Sequence, residues 1–373
     1  MQFDNRDFTE CIEKAYSWAN KELIRIVLQE KQLVQRLQSI KQYFFLESGD
    51  LFMHFIQTAK GELIRDPRLV SQEKLQSLLE LSIRTSNSEK DPFKDDVTCY
   101  LSTEHWETVM PVFHAYFAQK SSESMTQLEA VLQKEIGLQF SLPGSGKADP
   151  ALRIYCFDYF TLDYNVEWPL NLILSDSNMM VYKVVFRHLF NMRIAERELY
   201  SFWKQLQSQR SQNMNGGYRV EFVLVQRMIN FLKTVQYNFF YEVIEEHWRT
   251  LMTNLKVRED CNHQKVTIFS DAVACHKEFI ENIARDTLVA DPDFSKILKK
   301  ILVVCMFPTR INLNHPPVSK KFEAGPKGRL GNQMDEERRL EAGDSRKDPF
   351  KLQGLSNKFD SLVTTLLNYM EKQ

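Results

Sequence analysis

Glycine and proline are scarce, at 12 each among 373 residues, which disfavours a chain of tight turns and many short strands. No apolar run approaches the roughly 20 residues that cross a bilayer, so a soluble protein without membrane insertion is expected. The six cysteines (Cys11, Cys99, Cys156, Cys261, Cys275 and Cys305) are scattered, and the N-terminus carries nothing like a secretory leader. A reduced, intracellular setting is the expectation. Charge is nearly balanced, 48 basic against 49 acidic residues, so no bulk field points to nucleic acid. Leu, Lys, Glu and Gln abound and 43% of residues are hydrophobic, which allows a sizeable core. An all-α fold is predicted: an elongated stack of helical bundles with long helices and few short extended segments.

The chain is organised around Phe157 to Trp203. Alternating side chains from Phe160 to Val166 suit a short extended segment. Trp168-Pro169 ends it, because proline disfavours a helical conformation at the residue before it. After the apolar block Leu170 to Leu174, Ser175, Asp176 and Ser177 are candidate caps for a helix. Tyr182, Phe186, Leu189, Leu199, Trp203 and Leu206 lie on it at helical spacing, with Lys183, Arg187, Arg193, Glu196 and Arg197 between them.

Upstream, the spacing from Thr9 to Phe44 predicts one helix of roughly 35 residues, about 50 Å long, with Asp7 as its cap. Ser48-Gly49-Asp50 breaks it, and Asp50 is placed to cap the next helix. A further helix is expected over Ser71 to Arg84, a loop at Asp91 to Asp96, then helices over Glu104 to Gln119 and Met125 to Ile136. Downstream, a second long helix is expected from Tyr218 to Leu255, its aromatic stripe (Tyr237, Phe239, Phe240, Tyr241, Trp248) directed to the core. Helices over Ile297 to Phe307, stopped by Pro308, and over Leu355 to Tyr369 flank a polar segment at 312–350, read as a disordered insertion.

Chemistry is poorly supported. The stretch LPGSGKAD has one residue between its glycines where a phosphate loop needs four, and Ala148 stands where Ser or Thr would reach magnesium. Cys261, His263, Cys275 and His276 fit no zinc spacing, since adjacent Cys275 and His276 point apart on a helix. No nucleophile elbow or metalloprotease helix is present. No catalytic, cofactor-binding or metal residue is assigned, and no cofactor is expected.

The central stretch resembles the gamma-tubulin complex component family: D-Y-x-V-x-W-P-L-x-L-I-L at Asp163 to Leu174, Y-x-x-x-F-R-H-L-F at Tyr182 to Phe190, and E-R-x-L-x-x-x-W at Glu196 to Trp203. Ile12 to Tyr16, Tyr43 to Phe52, Arg227-Met228, Glu242 to Trp248 and Asp271 to Ile280 resemble it too, and Asp91 to Asp96 is similar to the branch of its second component. The resemblance implies a scaffold that binds gamma-tubulin and sits beside other gamma-tubulin complex components at centrosomes or spindle poles. It also implies that 1–70 is the end of an N-terminal, lateral-contact helical domain that the chain largely lacks, with 71–373 the gamma-tubulin-binding domain. Candidate gamma-tubulin contacts are Lys183, Arg187, Arg193, Arg197, His276 and Lys277, cations within family-matching helices. A helical tether of another kind, for instance in membrane traffic, stays open because long bundles are widely shared. So does a nucleotide-dependent enzyme centred on Gly144 to Lys147.

Overall fold

A computed structural model describes residues 5–101, 110–111, 113–114, 117, 155–212, 219–255, 269–314 and 349–371. Among these, the elements are almost all helical, with one two-stranded sheet. The helices are α1 (Asn5–Arg25), α2 (Leu33–Phe44), α3 (Gly49–Thr58), α4 (Lys60–Leu63) and α5 (Gln72–Arg84). Strands β1 (Val97–Leu101) and β2 (Phe160–Tyr164) follow, then α6 (Asp176–Gln212), α7 (Arg219–Tyr237), α8 (Glu245–Leu255), α9 (Phe269–Asp286), α10 (Pro292–Asn314) and α11 (Pro349–Met370). They fall into a first unit, residues 1–192 and 235–295, and a second unit, 193–234 and 296–373.

The core of the first unit is a cluster of rings from distant parts of the sequence. Phe44 and Phe45 of the α2 end, Phe52 and Phe55 of α3, Phe160 of β2, and Tyr182, Phe186 and Phe190 of α6 meet with centroids 5.1 to 6.5 Å apart. Tilted and edge-on pairs predominate, the geometry that ring quadrupoles favour. Helical spacing explains the α6 contribution: Tyr182, Phe186 and Phe190 are four apart and share one face.

The sheet is antiparallel, with Val97 opposite Tyr164, Cys99 opposite Leu162 and Leu101 opposite Phe160. Its outer edge is covered by α5: Gln72 Nε2 donates to the Cys99 carbonyl at 2.8 Å, and the Cys99 N–H donates to Gln76 Oε1 at 2.6 Å. Two glutamines one helical turn apart thus satisfy backbone groups that an edge strand would leave open.

Several expectations are corrected. The helix from Thr9 to Phe44 is not continuous: a π-helical turn spans Ile26–Glu30, and Gln32 takes a left-handed conformation (φ 50°) before α2 restarts. No glycine or proline marks that joint. Asp7 lies inside α1 rather than capping it, and Asp50 stands in the first turn of α3, where its carboxylate accepts from the Asn87 N–H at 3.0 Å. The Asp91–Asp96 loop is followed by β1, which sequence reading did not separate. α10 starts at Pro292 and continues through Pro308 to Asn314. Of the helix expected over Glu104 to Gln119, residues 110–111, 113–114 and 117 are described and are helical; the rest of it, the helix expected over Met125 to Ile136, the LPGSGKAD stretch, Cys261 and His263, and all but the ends of the 312–350 segment lie outside the described residues.

The second unit is held by α6, α7 and α11. Phe231 and Phe359 meet edge to face at 5.9 Å, and Arg227 donates to both carboxylate oxygens of Asp360. Lys233 of α7 sits 5.2 Å above the Tyr200 ring of α6. Among the described residues no helix is long and apolar enough to cross a membrane.

Candidate binding surface

The candidate residues are carried mainly by α6, and its start is fixed by a side-chain cap. Ser175 Oγ accepts from the Asn178 N–H at 3.4 Å, as the serine cluster predicts. In the preceding turn Trp168 is 69% exposed while Leu170 is fully buried, so the Trp-Pro step presents an indole to solvent over a buried leucine. The Trp168–Pro169 peptide is cis.

Four of the six candidates keep some exposure. Lys183 Nζ lies 2.8 Å from Asp163 Oδ1 and 5.7 Å above the Tyr100 ring, so one cation ties α6 to both strands. Arg193 Nη1 donates to Glu196 Oε2 at 3.2 Å, one helical turn away. Arg197 and Lys277 are half-buried.

Arg187 and His276 are interior, which removes them from the surface of this chain. Arg187 is 5% exposed, and burial pushes its guanidinium down to about 10, an effect the nearby Asp158 carboxylate partly opposes. His276 is 0% exposed. Its Nε2 lies 3.1 Å from Tyr182 Oη, its Nδ1 lies 3.4 Å from Asn178 Nδ2, and its ring stacks on Tyr182. Burial pushes this imidazole down to about 4, the Ile173 backbone acting weakly the other way, so it is neutral near pH 7. His188, in the same family-like segment, is likewise buried and pushed down to about 4. Arg187, His188 and His276 are thus all part of the interior.

Sequence reading missed two cations of α2. Arg36 donates to Asp96 at 2.7 Å and lies 4.3 Å above the Phe93 ring. Lys41, buried, donates to Glu245 at 2.7 Å and to Glu47 at 3.3 Å and lies 5.0 Å from the Trp248 ring. Their signal was a cation at a position of the apolar stripe, spaced like Leu33, Leu37 and Ile40.

The aromatic stripe of the second long helix divides. Phe239 and Trp248 are buried, whereas Tyr237 and Tyr241 are 58% and 65% exposed, rings 4.9 Å apart. Tyr237 ends α7 and Tyr241 lies within the π-helical turn Asn238–Ile244, whose wider winding shifts the side chains after it, Trp248 included, from straight-helix spacing. In the second unit, Trp203 of α6 with Phe222, Val223, Gln226 and Arg227 of α7 line an open groove of about 340 Å³.

The arrangement can tie helices together and present aromatic and cationic groups. Among the described residues, no three His, Cys, Asp or Glu side chains are placed to hold a metal ion.

Comparison with known proteins is consistent with that picture. The family model described as Gamma tubulin complex component C-terminal matches residues 33–373. Gamma-tubulin complex component 2 of Mus musculus is 32% identical over 304 residues, covering 81% of this chain and 30% of the mouse protein. The Arabidopsis thaliana protein of the same name is 29% identical over 303 residues, covering 81% and 40%. Spindle pole body component alp4 of Schizosaccharomyces pombe is 26% identical over 326 residues, covering 81% and 41%. The chain therefore spans well under half the length of each of these relatives.

Proposed function

Since the chain belongs to the gamma-tubulin complex component family, we propose that it is a structural scaffold that binds gamma-tubulin and supports microtubule nucleation at centrosomes or spindle poles. The observation that carries this reading is the family match from residue 33 to residue 373, together with relatives named for the gamma-tubulin complex and the spindle pole body. The mechanism is templating. Holding gamma-tubulins side by side, with neighbouring complex components, turns an unfavourable multimolecular nucleus into a preformed one by raising effective concentration. No side chain of the scaffold makes or breaks a bond in this scheme.

Residues 1–70 are assigned to the end of the lateral-contact part and 71–373 to gamma-tubulin binding. Of the candidate contacts, Lys183, Arg193, Arg197 and Lys277 retain exposure and stay in the proposal; Arg187 and His276 are assigned to the interior. The test is sedimentation velocity of the chain mixed with purified gamma-tubulin. Co-sedimentation as a defined complex is expected, and separate boundaries for a folded chain overturn the reading.

A further inference from the structure

The near-neutral total conceals a strong segregation of charge. The first unit holds 26 basic and 37 acidic residues, a net of −11, and the second holds 22 basic and 12 acidic, a net of +10. Within the second unit lies the open groove with Trp203, Phe222 and Val223 as apolar lining and Gln226 and Arg227 completing it. Val223, which lines the groove together with Trp203, is 54% exposed. Lys204 follows Trp203 and is exposed; Lys233 lies further along α7 and is exposed. Glu221 is the single acid of α7; it is half-buried, and burial pushes its carboxyl up toward the neutral form.

We propose that this groove is a docking site for a short acidic peptide segment of a partner protein, one that places an aromatic or aliphatic side chain against Trp203 and Val223 and its carboxylates among the cations of the second unit. Charge complementarity selects this occupant. A unit of net +10 attracts an acidic segment over a Debye length of about 8 Å at physiological salt, while the groove supplies the desolvated anchor that holds it. A polyphosphate is disfavoured, because it offers nothing to an apolar groove and the chain as a whole carries −1. The site is independent of the gamma-tubulin reading.

The probe is a fluorescein-labelled peptide of about a dozen residues, mostly Glu and Asp with one Phe and one Leu, titrated with the full chain and read by anisotropy. Saturable binding is expected, weakening about tenfold or more as the Debye length shortens from about 30 Å to about 8 Å. Val223→Glu and Lys204→Glu, both at exposed positions, are each expected to weaken it several-fold while the thermal transition stays in place. Unchanged affinity in both folded variants overturns the proposal. So does equal capture of a neutral peptide of the same apolar content, or tighter capture of heparin that ignores Val223→Glu.

Discussion

Tyr182 Oη lies 3.1 Å from Nε2 of His276, inside the first unit and out of reach of solvent. The two residues are 94 positions apart, one on α6 and one on α9, so this contact fixes how those helices meet. Removing the hydroxyl in Tyr182→Phe keeps the ring but strips a buried imidazole nitrogen of a partner. A loss of about 1–3 kcal/mol is expected. Urea unfolding of the variant against the parent checks it, and a change below a few tenths would show the hydroxyl to be idle.

The same histidine predicts a pH dependence. His276 and His188 are pushed down to about 4 by burial, below the ordinary 6.5, so the unfolded chain binds more protons between those values. Their stabilising contribution is complete above about pH 6.5 and is lost as pH falls toward 4, by up to about 3 kcal/mol for each group. Unfolding free energy measured from pH 7.5 down to 5 should decline, and His188→Phe should flatten the decline if the ring fits. A profile that is level over that range contradicts the assignment.

Lys41 is a buried cation whose main partner is Glu245, and this contact draws the glutamate carboxyl below its usual range despite some burial. Glu245→Ala leaves Lys41 with the longer contact to Glu47 and the face of the Trp248 ring. A cost of about 1–3 kcal/mol is expected, below that of a fully buried pair because Glu245 is about one third exposed. Lys183 and Asp163 are more exposed, and a double-mutant cycle there should give under about 1 kcal/mol.

Arg187 and Arg193 separate interior from surface. Arg187→Glu places an anion in a site nine-tenths or more enclosed and should abolish the cooperative thermal transition. Arg193→Glu together with Arg197→Glu should preserve that transition and weaken gamma-tubulin capture in a pull-down. Normal capture by the folded double variant would remove both from the proposed contact surface.

Gln32 holds a left-handed conformation at an exposed joint between two helical segments. Gln32→Gly should raise stability by about 1 kcal/mol, since glycine carries no Cβ penalty there, and Gln32→Val should lower it. Thermal melts of the pair decide the sign.

How much of this was legible beforehand follows from which interactions are local. The α6 stripe, its Ser175 cap, β2 and the helix from Gln72 are set by neighbours within a turn or two, and the residue pattern exposes them. β1 escaped because its partner strand lies some sixty residues on, and Val97-Thr98-Cys99-Tyr100-Leu101 is short. The joint at Gln32 escaped because it follows a π-helical turn, and the exposed Tyr237–Tyr241 pair because such a turn begins between its two residues; neither turn leaves a mark in the residue types. Pro308 failed as a stop because α10 continues through it despite the missing donor. Arg187 and His276 were misread for another reason: a cation between apolar positions looks outward-facing until the second layer of helices is known.

The ring cluster of the first unit also sets an order of events during synthesis. Phe44, Phe52 and Phe55 precede their partners Phe160, Tyr182, Phe186 and Phe190 by more than a hundred residues, and so emerge from the ribosome that far ahead of them. At about 5–20 residues per second, these phenylalanines wait on the order of ten seconds uncovered. A nascent chain stalled shortly after α5 should therefore be a client of holdase chaperones and a target for proteases, and release should come only once α6 has emerged.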